Sequence, residues 1–289
     1  CIRDSRESGH EGTARAYASS LRSMQRYLGK KDFPFIKLSS RIISDYQGKL
    51  LASGICDNTI GFYLHNIKAL FRKGCREMGL ELPCPFRDIS IKTEKTLKRS
   101  LDPVVIKTLS AIELEKDSPL SLARDIFMFS FYTRGMSFVD IALLKKRHVF
   151  PGEICYRRHK TDQLMRVGIN KEISRILERY KNVPGEYIFP LFPAERDPYA
   201  GYRNAYHRIR YSLGKISRVI GLEFPLRLHA ARHSWATIAK VNGASVHVIG
   251  ECLGHTSEKT TRIYLKELDH SALDAVNNQV ADFILAVDD

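Results

Sequence analysis

Several absences narrow the field before any motif is read. No stretch approaches the roughly 20 apolar residues that a membrane-spanning helix needs. The first residues, Cys1-Ile2-Arg3-Asp4, lack the apolar core of a signal peptide. A cytoplasmic protein without membrane association is therefore expected. The six cysteines (Cys1, Cys56, Cys75, Cys84, Cys155, Cys252) contain no C-x-x-C pair, which argues against a zinc knuckle and a disulfide framework. Free thiols are expected, several of them buried. Internal repeats and low-complexity tracts are missing too. Acid is the remaining shortage: 32 Asp and Glu face 46 Lys and Arg, a formal net charge of +14. Such an excess points to a polyanionic partner, with a merely solubilising charge as the plainer alternative. The chain starts without Met, which is compatible with a longer protein carrying a further N-terminal module.

What is present is enough for one large or two ordinary domains, since 44% of the 289 residues are apolar. Tyr17, Leu21, Met24 and Leu28 recur at helical spacing opposite Arg15, Arg22 and Arg26, predicting one buried stripe and one basic face. A second helix is expected from Ser39 to Ala52. A third should begin after Asp57 or Asn58, either of which can cap it, with Ile60, Leu64, Ile67, Phe71, Cys75 and Met78 inward. Its other face holds His65, Lys68, Arg72, Lys73 and Arg76, with few acids. Cations one turn apart suit a helix lying along phosphates, because each neutralised phosphate releases a condensed counterion. Lys68, Arg72 and Arg76 are thus candidate DNA-binding residues; an ordinary solvated face is the alternative.

Pro83 and Pro85 end this helical run, and residues 88–100 are polar and basic without periodicity. The expected organisation is an N-terminal helical domain over 1–90, a linker over 91–100 and a second domain over 101–289. That second domain opens with helical patterns near Val104 to Ile112 and Leu120 to Tyr132. Glu153 to Arg157 and Met165 to Ile169 read as a small antiparallel hairpin with Lys160 near its turn. Helices resume from Lys171. The run from Tyr202 to Ile220 carries Arg203, Arg208, Arg210, Lys215 and Arg218, among which Arg208 is a further candidate for DNA binding.

Cleaving a phosphodiester without a metal needs a nucleophile, cationic donors for the non-bridging oxygens and an acid for the departing 5′ oxygen. The run His229-Ala230-Ala231-Arg232-His233-Ser234 places His229 and Arg232 three residues apart, on one face of a helix. A planar guanidinium can meet two oxygens of a phosphorane-like transition state at once. His229 and His233 have the spacing of a zinc-protease helix, but Ala230 stands where that motif requires Glu. For His233 a structural role is equally open, and Ser234, Trp235 and Ala236 read as structural. Gly254 is expected to end a helix and leave His255 on a turn. Tyr264 follows nine residues later, after Thr and Ser residues that can cap a short helix.

H-x-x-R, then L-G-H, then Y nine residues on, resembles the catalytic region of the tyrosine recombinases, the phage integrase family, with similarity to its Bacteroidetes-type branch. The likeness extends over nearly the whole chain. It implies a mainly α fold with a small antiparallel β-sheet: a helical, SAM-like core-binding domain and a catalytic domain that together form a C-shaped clamp around duplex DNA. It implies attack by Tyr264 to give a 3′-phosphotyrosyl link and a free 5′ hydroxyl, so no cofactor, ATP or metal is called for. Lys160 matches the hairpin lysine that protonates the leaving oxygen. Arg232 and His255 would hold the phosphate, and His229 would assist proton transfer from the tyrosine.

One position departs from the pattern. The family's first arginine stands three residues before an acidic residue, here Asp140, which puts Ser137 in its place. Arg134, followed by Gly135, is the preferred substitute, with Arg124 and Arg158 as further options and an ion pair of Arg134 with Asp125 or Asp140 as the structural alternative. Leu273, Val276, Val280, Phe283 and Ile284 form a terminal helical stripe that either packs on its own domain or, as preferred, docks in trans on DNA. The partners implied are double-stranded recombination sites and, in the synaptic complex, a homotetramer, with a monomer or weak oligomer without DNA. A type IB topoisomerase-like or telomere-resolving enzyme, or a DNA-binding protein that has lost the chemistry, are the other readings.

Overall fold

The computed structural model describes residues 1–30, 32–92, 94, 100–192, 198–255, 257–265 and 280. The chain divides into two compact units, Cys1–Thr96 and Leu97–Asp289. The first consists of α1 (Ile2–Glu7), α2 (Glu11–Leu28), α3 (Ser40–Ala52) and α4 (Asp57–Glu77), with one 3-10 turn at Phe35–Lys37. Its core gathers Met24 from α2, Ile43 and Tyr46 from α3, and Ile60, Leu64, Ile67 and Phe71 from α4, closed by Phe86. Tyr46 is fully buried, and its hydroxyl donates to Ser23 Oγ at 2.7 Å, so the phenol enters the core without a stranded polar group. Gly29 ends α2 in the left-handed conformation, and Ser39 caps α3 by accepting from the Ile42 amide.

Three expectations for this unit need correction. Neither Asp57 nor Asn58 caps α4; Cys56 occupies the cap position without a side-chain capping bond, its thiol pairing instead with the Thr59 hydroxyl, and Asp57 stands in the first turn, where its charge favours the helix dipole. Met78 lies beyond the last turn and is exposed, because the helix has already stopped. Leu21 is 40% exposed: the buried face of α2 runs through Ala14, Ser20, Ser23 and Met24, whose small members admit the close approach of α4.

The second unit contains α5 (Pro103–Ala111), α6 (Pro119–Tyr132), α7 (Phe138–Ala142), β1 (Val149–Phe150), β2 (Glu153–Arg157), β3 (Leu164–Gly168), α8 (Lys171–Arg179), α9 (Pro198–Val219), α10 (Leu228–Val241), α11 (Val246–Leu253) and α12 (Glu258–Tyr264). α5 and α6 start alike, with a capping Asp102 or Ser118 followed by a proline whose missing N–H has no partner to lose there. α6 is the central element and packs on α9 and α10; Ile126, Phe127, Met128 and Phe129 are all essentially inaccessible to solvent. Burial of side chains this size stabilises by about 1.5–3 kcal/mol each. The buried carboxylate of Asp125 on α6 accepts from Arg124 and Arg179 and from the Tyr180 hydroxyl, which offsets its desolvation.

The sheet is a three-stranded antiparallel meander, β1-β2-β3, rather than a bare hairpin, with Val149 opposite Ile154, Glu153 opposite Gly168 and Arg157 opposite Leu164. Ile154, Tyr156, Met165 and Val167 alternate inward. The fold class read from the sequence, mainly helical with a small antiparallel sheet, is therefore observed. All six cysteines are free, and none is fully buried, contrary to expectation: Cys56 is exposed and the other five are half-buried. Most of the anticipated linker, residues 93 and 95–99, and Leu273, Val276, Phe283 and Ile284 of the terminal stripe lie outside the described residues; Val280 is exposed.

Candidate active site

Arg232 sits on the buried side of α10 and is only 5% exposed. A guanidinium does not shed its proton, so this charge must be met by acceptors. It donates to the Gly135 carbonyl at 2.8 Å, to the Leu253 carbonyl, and to His255 Nε2 at 3.1 Å. Two segments distant in sequence are thereby drawn to one cation: the turn after α6 and the α11–α12 junction.

The turn after α6 is shaped for this approach. Gly135 has φ +75°, and a Cβ on it would stand 2.5 Å from Arg232 Cγ and 2.8 Å from Arg232 Cβ. Only glycine fits both the conformation and the space. Arg134 just before it is also left-handed, at φ +59°, a conformation that costs a non-glycine residue about 1–2 kcal/mol. Its guanidinium reaches the Arg166 carbonyl at 3.5 Å, while Asp125 is engaged by Arg124 and Arg179, and Asp140 by Ser137 and His159. Arg124 is committed to Asp125 and the Ile112 carbonyl, which removes it from the candidate cations.

Ser137, where the resemblance led a cation to be expected, has a capping and tethering task. Its Oγ caps α7 and donates to Asp140 Oδ2 at 2.6 Å, and Asp140 Oδ1 accepts from the His159 amide at 2.8 Å. That amide belongs to the β2–β3 turn, one residue before Lys160. Lys160 is exposed at this turn. Arg158, on the same turn, donates to the Gly254 carbonyl and so ties the hairpin to the left-handed end of α11.

His255 follows Gly254 as expected. Its pKa is lowered from the ordinary 6.5 to about 4, first by burial and then by the charges of Arg232, Arg158 and Lys160. The buried phenol of Tyr156 is pushed up, chiefly by burial and by Asp140, with Arg158, Arg232 and Arg134 pulling the other way. Arg134, Arg158, Lys160, Arg232 and His255 therefore share one electrostatic neighbourhood. His229 is exposed near the start of α10, edge-on to the buried His233 with ring centroids 4.7 Å apart. Ser234 is structural, accepting from the Leu101 amide at 2.7 Å.

Tyr264 is the last residue of α12; its side chain lies outside the described part of the structure. The helix itself is anchored by Thr261, which is fully buried and whose Oγ1 is 3.0 Å from His255 Nδ1. α11 admits it because residue 250 is glycine: a Cβ there would meet Thr261 Oγ1 at 2.9 Å. Sequence reasoning missed Thr261, Gly250 and the Ser137–Asp140–His159 chain. The one available signal was a glycine inside the α11 pattern, which costs about 1 kcal/mol unless close packing requires it.

The other basic candidates fall on two helices. Lys68, Arg72 and Arg76 line a surface depression along α4 with His65 and Lys73. The face is less free of acid than expected, since Lys73 is held by Asp4 at 3.0 Å and by Glu77 at 3.8 Å. Arg208 is exposed on α9 and donates to the Leu191 carbonyl at 2.8 Å.

Comparison with known proteins identifies the family. Residues 100–270 match the phage integrase family, and residues 1–86 the phage integrase SAM-like domain. The chain is 26% identical over 226 residues to tyrosine recombinase XerC of Shewanella oneidensis, covering 75% of this chain and 70% of that protein. It is 24% identical over 262 residues to tyrosine recombinase XerD of Pseudomonas putida, covering 88% and 86%. Its fold is similar to lambda integrase in a dimer bound to a core site, with a TM-score of 0.66 at 18% identity over 90% of this chain and 91% of that one. It is equally similar to Tn1549 transposon integrase in complex with transposon right end DNA, with a TM-score of 0.67 at 16% identity over 96% and 97%. The chain thus belongs to the phage integrase family and is a tyrosine-type site-specific recombinase.

Proposed function

We propose that this recombinase cleaves and rejoins duplex DNA through a 3′-phosphotyrosyl bond to Tyr264. The observation that carries the reading is the enclosed Arg232, bonded to His255 and sharing its neighbourhood with Lys160 and Arg158, beside the helix that ends at Tyr264. In this mechanism the phenolic oxygen attacks the scissile phosphorus and the bond from phosphorus to the 5′ oxygen breaks. Lys160 gives that oxygen its proton, and His229 helps draw the proton from the phenol. Arg232 and His255 hold the non-bridging oxygens, and Arg134 supplies the second cation that Ser137 cannot. Such fixed donors act where charge develops and need little reorganisation as the bond breaks.

Both units bind DNA in this reading, the first through Lys68, Arg72 and Arg76 and the second through Arg208 among others. The assembly on two duplexes is a homotetramer, the state in which lambda integrase is bound to a Holliday junction. A nicked suicide duplex tests the chemistry: Tyr264→Phe is expected to bind it normally and form no covalent complex. Its appearance would overturn the nucleophile. In the same trap Arg134→Ala should slow cleavage more than about tenfold, roughly 1.4 kcal/mol of transition-state stabilisation. A smaller loss removes Arg134 from the mechanism. Strand exchange between two labelled sites separates recombination from topoisomerase-like relaxation.

A further inference from the structure

We infer that Thr261 is a positioning residue whose hydroxyl accommodates both tautomers of His255, the one Arg232 imposes without DNA and the one a bound phosphate requires, so that the helix carrying Tyr264 and the phosphate pocket become competent together. The inference rests on the proposed phosphotyrosyl chemistry. Its starting point is a pair of distances on one imidazole: Nε2 lies 3.1 Å from an Arg232 nitrogen and Nδ1 lies 3.0 Å from Thr261 Oγ1. Arginine only donates, so Nε2 must accept. A neutral ring then carries its proton on Nδ1 and donates it to the Thr261 hydroxyl.

This tautomer suits the protein without DNA and fails once a phosphate is bound. A phosphate oxygen is an acceptor, and the Nε2 lone pair has nothing to offer it. When Arg232 turns its N–H groups to the phosphate, the bond at Nε2 is released and the ring must present N–H there instead. Exchange with solvent removes the proton from Nδ1 and returns one to Nε2, leaving the ring's charge unchanged. Nδ1 becomes an acceptor, and the Thr261 hydroxyl rotates from accepting to donating. A hydroxyl can do both; a methyl, an amide nitrogen or a carboxylate at this place could not. Protonation of both nitrogens is the other route to the same donor, but burial of the ring, and after it the charges of Arg232, Arg158 and Lys160, oppose it.

The packing confines this role to residue 261. Thr261 has no solvent exposure, and the missing Cβ at Gly250 leaves room for its Oγ1 and little more. Tyr264 is three residues further along the same short helix, so loosening the hydroxyl's hold loosens the segment that carries the nucleophile.

Two readouts test the inference on the full chain. In 15N-histidine spectra, assigned by the signal missing from His255→Gln, the DNA-free protein should show His255 protonated at Nδ1, and Tyr264→Phe bound to site DNA should show it protonated at Nε2. In the suicide-duplex trap, Thr261→Val should bind DNA normally and cleave at least about tenfold more slowly, while Thr261→Ser stays within about threefold of the parent. In a His255→Gln background Thr261→Val should cost little more, because the two act as one unit. Equal cost in both backgrounds, parental cleavage by Thr261→Val, or an Nε2-protonated ring without DNA would each overturn it. Should Thr261→Val fail to fold, the spectra of the parent and of Thr261→Ser decide. If Tyr264→Phe still forms the covalent complex, the phosphotyrosyl reading has failed; if only Thr261→Val is silent, this inference alone falls.

Discussion

His255 has its ionisation decided by its neighbours rather than by its own chemistry. Burial and three cations bring its pKa from the ordinary 6.5 to about 4, so the folded ring is neutral throughout the physiological range. The unfolded chain takes up a proton near 6.5 that the folded chain refuses until about 4. Stability therefore falls as pH drops through that window, and this group contributes no further loss below it. Urea unfolding of the parent and of His255→Gln should give midpoints whose difference moves against the parent as pH falls from 7 to 4.5. Parallel curves would show that the ring titrates alike in both states. The shared helix of His229 and Arg232 and the turn at Gly254 that carries His255 were legible in the sequence, because three-residue spacing and a helix-ending glycine are local signals. Thr261 was not, since a threonine three residues before a tyrosine carries no mark until Gly250 is seen to let it in. Nor was the close packing of Arg232 on Gly135, which joins residues nearly a hundred positions apart.

At the scale of elements, the hairpin is held from below by α7. Ser137 caps that helix and fixes the Asp140 carboxylate, and Asp140 fixes the His159 amide beside Lys160. A position that reads as a lost cation thus serves to locate the turn that carries Lys160, the proposed general acid. If so, Asp140→Ala should impair the step that uses Lys160 and spare the rest. Cleavage of ordinary DNA is expected to fall by about ten- to a hundredfold, less than the roughly 10²–10⁴-fold that a general acid contributes, because Lys160 itself remains. A substrate whose 5′ bridging oxygen is replaced by sulfur needs no proton on its leaving group, and Asp140→Ala should cut it at nearly the parental rate. An equal defect on both substrates would mean that Asp140 supports the fold and not the acid. The strands β2 and β3 announced themselves by alternating apolar residues between turn signals. The two-residue β1 could not, because so short a strand is defined by pairing with Ile154 and Glu153 and not by a pattern of its own.

Across the whole molecule the surplus of +14 is a statement about long-range attraction, and the individual cations need not share it equally. Arg72 and Arg76 are exposed along α4 beside Lys68, whereas Arg208 on α9 already spends one N–H on the Leu191 carbonyl. Their removal should therefore have different consequences. Each phosphate left without its protein cation lowers the slope of log affinity against log salt by about 0.9. The triple change Lys68→Ala, Arg72→Ala and Arg76→Ala is expected to reduce that slope by the equivalent of up to roughly three phosphates on any duplex, with the melting temperature nearly unchanged, since exposed side chains away from special packing contribute within about 0.5 kcal/mol. Arg208→Ala should do less to the slope and more to stability, because it strips a hydrogen bond from the loop at Leu191. Binding titrations at three or four salt concentrations, paired with thermal melts, distinguish the two. A salt slope that stays at the parental value in the triple variant would show that the α4 face is merely solvated and that the attraction for DNA resides elsewhere on the chain.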